Sequence, residues 1–104
     1  MANQIEIYQK IVDSLAKKTG VEKSQMFGKP CVKINGKAFA CFFENCMVFK
    51  LMGKQHENAL AVKGSKLFDP SGKGRAMKEW VQVPFVDEKL WIKFAKAAME
   101  YVLG

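Results

Sequence analysis

Apolar residues recur along the first part of the chain with a helical period. Ile5, Tyr8, Ile11, Val12 and Leu15 fall three and four positions apart, and a single stripe of this kind predicts a helix over 4–18. Lys17 and Lys18 suit its carboxyl end and Gly20 its C-cap. Val21 to Gln25 reads as a connector. The period then changes to two. Pro30 precedes the short run Cys31-Val32-Lys33-Ile34, Asn35-Gly36 follows, and Lys37 to Phe43 resumes the apolar pattern. Asn-Gly between two such runs predicts a hairpin, because a type I′ turn needs positive φ at both central residues. A second reversal at Glu44-Asn45 and a run from Cys46 to Met52 complete a three-stranded antiparallel meander.

Lys54 to Val62 reads as a short helix closed by Gly64, and Lys66-Leu67-Phe68 as a short strand. Asp69-Pro70-Ser71-Gly72 carries the residues of a type I turn. Trp80-Val81-Gln82-Val83 alternates as a strand and stops at Pro84. Asp87 is placed to cap a last helix, with Glu88 in its first turn. Leu90, Trp91, Phe94, Ala98, Tyr101 and Val102 form its buried face. The predicted order is α-β-β-β-α-β-β-α. Hairpin-linked strands imply an antiparallel sheet with helices packed on it, a two-layer α+β fold of one domain over 1–104.

Composition narrows the class. With 49% hydrophobic residues the chain can form a packed core. Its amino terminus carries no basic-then-apolar leader, and no apolar run approaches the roughly 20 residues needed to cross a bilayer. The three cysteines, Cys31, Cys41 and Cys46, are an odd number in apolar surroundings, which suits a reducing compartment rather than a disulfide framework. The expectation is a cytoplasmic protein. Zinc needs about four ligands at suitable spacing; Cys41 and Cys46 are spaced wrongly, and His56 lies elsewhere. No metal or cofactor is expected. Buried cysteines are inert, His56 has no partner that spacing suggests, and no enzyme active site is predicted.

Two stretches, MFGKPCVKINGKAFA at 26–40 and FDPSGKGRAMKEWVQVP at 68–84, carry a resemblance to the TfoX N-terminal domain family in its short, single-domain form. The resemblance covers nearly the whole chain. It implies the same element order, in a two-layer arrangement like that of type III secretion chaperones. It also implies a regulatory role linked to transcription or competence and exerted through protein contacts. The longer members carry a second, carboxy-terminal domain, for which a chain ending at Gly104 has no room.

The net charge of +7 raises the alternative of a small basic nucleic-acid-binding module. Lys63, Lys66, Lys73, Arg75 and Lys78 lie close in sequence, and Lys89, Lys93 and Lys96 make a ridge on the last helix. Arg75 is the one arginine in the chain. Its planar fork suits a bidentate contact to carboxylate or phosphate, so Lys73, Arg75 and Lys78 form a candidate interaction or anion site. The plainer alternative has Arg75 pinning its own loop to Asp69, Glu79 or a carbonyl. Gly72-Lys73-Gly74-Arg75 lacks the spacing of a phosphate loop, and a strand follows it rather than a helix. With two-residue turns, one meander face carries Val32, Ile34, Phe39, Cys41, Phe43, Cys46 and Val48. The other carries Cys31, Ala38, Ala40, Phe42, Met47, Phe49 and Leu51. Both are apolar, so the second needs cover from the chain itself or from a partner such as a second copy, unless the second turn is longer than two residues, which would flip the third strand.

Overall fold

The computed structural model describes residues 3–17, 20–26, 29–69 and 77–103. Helix α1 (Gln4–Leu15) starts at Asn3, whose side chain accepts a hydrogen bond from the Glu6 amide at 3.0 Å. It ends three residues before the predicted boundary, where the apolar stripe stops, and Ala16 rather than Gly20 is its C-cap. Gly20 serves the next element instead. It has φ +92°, its carbonyl accepts from the Asn35 amide at 3.0 Å, and a Cβ there would run into the Asn35 side chain.

The stretch read as a connector is a strand, β1 (Val21–Met26), paired antiparallel with β2 (Lys29–Ile34). Glu22, Lys23 and Gln25 are exposed along it, and charge on an edge strand hides the alternation that marks an inner one. Strands β3 (Lys37–Phe43) and β4 (Cys46–Lys50) follow as predicted. Helix α2 (Lys54–Leu60), β5 (Lys66–Phe68), β6 (Met77–Pro84) and α3 (Glu88–Leu103) complete the chain. The fold is α+β. Among the described residues its sheet has six antiparallel strands in the order β1-β2-β3-β4-β6-β5, one more than the sequence pattern indicates.

Both hairpin turns hold their two central residues at positive φ. Asn35 and Gly36 stand at φ 51° and 80°, Glu44 and Asn45 at φ 49° and 62°. Asn and Gly tolerate the left-handed region, whereas a glutamate gains no local hydrogen bond there. Glu44→Asn is therefore expected to raise the unfolding free energy by about 0.5–1 kcal/mol, read from the urea midpoint. An unchanged or lower midpoint would show that this turn holds no removable strain.

The faces of the sheet differ from the simple alternation. Val32 pairs with Ala40 but Lys33 with Ala38, so Phe39 is an extra, bulged residue. The bulge shifts the parity of everything after it. Val32, Ile34, Phe39, Ala40, Met47, Phe49, Val81 and Val83 all enter the core under the helices, with Tyr8, Ile11 and Val12 of α1 and Trp91, Phe94, Ala95 and Ala98 of α3. Cys31, Cys41, Val48, Trp80 and Phe68 form a second cluster on the opposite face, with Ala38 and Phe43 beside it. Phe68 meets the Phe43 ring edge-on at 5.1 Å. Both faces are thus apolar, as expected. On the second, Cys31, Cys41, Val48, Phe68 and Trp80 are buried and Ala38 and Phe43 half-buried.

Candidate functional site

Of the candidate trio, Lys73 and Arg75 lie outside the described residues, as does most of the turn at 69–72. Lys78 stands exposed near the start of β6. Its carbonyl accepts from His56 Nε2 at 2.7 Å, which ties α2 to the strand. Lys63 and Lys66 are also exposed. Lys66 pairs with Gln82, four residues along β6 from Lys78, or roughly 13 Å at strand rise. The described lysines of the 63–78 segment do not form one stripe. The ridge on α3 is present, with Lys89, Lys93 and Lys96 all exposed and in no ion pair among the described residues.

The thiols occupy the outer sheet face. Cys31 and Cys41 sit opposite each other across β2 and β3 and are each 1% exposed. All three cysteines are free. Burial, and secondarily the neighbouring Cys31, push the Cys41 thiol up to about 12. Burial also raises Cys31, against a smaller opposing pull from Lys33 and Ser24. Both therefore stay protonated at neutral pH, the form of sulfur that is neither nucleophile nor metal ligand. Among the described residues no three His, Cys, Asp or Glu side chains are gathered closely enough to hold a metal ion, and no helix is long and apolar enough to cross a membrane.

Two surface features stand out, at opposite ends of α3. The first is the corner between β6 and α3. Val86 is 57% exposed and Phe85 37% exposed, yet the backbone around them is held on both sides. Asp87 caps α3 by accepting from the Lys89 amide at 2.8 Å, and its carbonyl accepts from Leu90 and Trp91. Trp91 donates from its indole N–H to the Val83 carbonyl at 3.3 Å and meets the Phe85 ring edge-on at 5.2 Å. The corner is an apolar point presented on a fixed mount.

The second is a cleft of about 570 Å³ lined by Lys37, Ala38, Lys50, Trp80, Tyr101 and Val102. It forms where β3 begins, β4 ends, β6 begins and α3 ends. Tyr101 donates to Glu79 Oε2 at 3.1 Å, and Lys50 Nζ lies 3.8 Å from the same oxygen. Sequence reasoning missed both features. Phe85-Val86 sits just past a strand and just before a cap, where an apolar pair reads as core. The cleft draws on four separate segments.

No protein-family model, no curated protein and no solved structure matches the chain.

Proposed function

We propose that this chain is a non-catalytic regulatory domain of the TfoX N-terminal type, acting in the cytoplasm through a protein contact centred on Phe85 and Val86. The observation that carries the reading is that corner. Neighbouring apolar side chains left in solvent on a rigid backbone lose little entropy when a partner covers them, and aromatic anchors of this kind supply much of the energy of protein contacts. Cys31 and Cys41 support the same reading, since buried, protonated thiols offer no nucleophile. The family resemblance supplies the link to transcription.

In the source cell, deletion of the gene is expected to change the transcript levels of a defined set of genes, and the wild-type chain to restore them. Val86→Asp is expected to fail to restore them, while its melting temperature moves by no more than about 4 °C, as for an ordinary surface substitution. Unchanged transcripts on deletion, or full restoration by Val86→Asp, would rule the reading out.

A further inference from the structure

The cleft at the carboxyl end of α3 joins two lysines and two aromatic side chains. Lys37 follows the Asn35-Gly36 turn and is exposed. Lys50 is half-buried at the end of β4, with its ammonium 3.8 Å from Glu79 Oε2. Trp80, 7% exposed, and the half-buried Tyr101 line the same hollow. The hydroxyl of Tyr101 is anchored to Glu79. Lysine ammonium groups serve as point charges for phosphate oxygens, and an ordered aromatic ring offers a base a stacking surface at small entropic cost. Glu79 accepts from Tyr101 and lies 3.8 Å from the Lys50 ammonium, whose charge it partly offsets, so Lys37 is the stronger phosphate contact. The excess of +7 over the whole chain draws a polyanion toward the surface.

We infer that this cleft binds single-stranded nucleic acid, with one base against Tyr101 and the adjoining phosphates on Lys37 and Lys50. A duplex keeps its bases stacked inside and would meet only the lysines, so the aromatic half of the cleft selects the single strand. The site is distinct from the Phe85–Val86 corner, since the length of α3 separates them by roughly 20 Å. It does not depend on that contact.

The experiment follows intrinsic tryptophan emission, and the anisotropy of a labelled short oligo-dT, at low and near-physiological salt. Trp91 is fully buried with its N–H engaged, so Trp80 is the reporter of the cleft. The expected result is quenching with micromolar affinity that survives near-physiological salt. Tyr101→Ala is expected to weaken binding about five- to a hundred-fold. Lys37→Glu should weaken it and lower the slope of log affinity against log salt by about 0.7 or more. Tyr101→Phe keeps the ring, retains most of the affinity, and controls for loss of fold. Binding confined to low salt would overturn the proposal. So would equal competition by inorganic polyphosphate, tighter binding of duplex, or indifference to both Tyr101→Ala and Lys37→Glu.

Discussion

Trp91→Ala is expected to remove about 3–5 kcal/mol of unfolding free energy, the largest effect of any single truncation argued from this structure. Trp91 is the largest fully buried side chain. It lies on α3 against the sheet, and three separate losses follow its removal. The apolar surface of the indole goes, and the space it filled collapses only in part. The Val83 carbonyl loses the N–H that satisfies it. Phe85 loses the ring it packs against edge-on, so the β6–α3 corner loosens as the core does. Against a total of roughly 5–15 kcal/mol for a domain of ordinary stability, the variant stands near the limit of folding. Trp91→Phe separates the contributions. It keeps an aromatic ring but not the donor, and is expected to cost about 1–3 kcal/mol. Urea unfolding of the three proteins checks both values. A loss under about 1 kcal/mol for the alanine variant would show that α3 is not locked to β6 through this residue.

The second large effect is alkaline. Burial raises the Cys41 thiol from its ordinary 9.0 to about 12 in the native state. From pH 9 upward the unfolded chain gives up this proton while the folded chain keeps it. The stability tied to the protonated thiol is therefore present in full below pH 9 and is lost as pH rises toward 12. The slope reaches about 1.4 kcal/mol per pH unit, so roughly 2 kcal/mol is gone by pH 10.5. Cys31 and Tyr8, both raised chiefly by burial, act with the same sign. Cys41→Ala isolates the contribution. The variant is less stable at pH 7 because it leaves a small void, but it has no thiol to ionise. Its deficit relative to the wild-type chain should narrow steadily from pH 9 to 10.5 when urea midpoints are compared. A deficit that stays constant would mean that Cys41 ionises alike in both states.

Much of the fold is written in short-range pattern. The stripe of α1, the Asn35-Gly36 and Glu44-Asn45 turns and the Asp87 cap each express a local rule, and each is found in place. What escaped the pattern has a physical cause in each case. Strand β1 is an edge whose charged residues face water, so its pairing shows only once β2 is there to receive it. The bulge at Phe39 sits in Lys37-Ala38-Phe39-Ala40-Cys41, where nothing in the side chains marks which residue will be the extra one. Because side-chain parity has a period of two, that single residue moved Cys41, Phe43, Cys46 and Val48 to the face opposite Val32 and Ile34. The surface sites were less legible still. Lys37, Lys50, Trp80 and Tyr101 meet through sheet order and helix direction, which no window of sequence contains. Phe85 and Val86 are as apolar as core residues, and only the cap that follows turns them outward.

The proposed contact at the β6–α3 corner is open to direct observation in cells. A photoreactive amino acid placed at Val86 should, on illumination, give one discrete covalent adduct with another protein. The same residue placed at Glu22, exposed on the far edge strand, should not give that adduct. The account predicts a band from position 86 alone, lost when Phe85 is also changed to Asp. No adduct from position 86, or the same adducts from both positions, would contradict the claim that this corner is where the domain meets its partner.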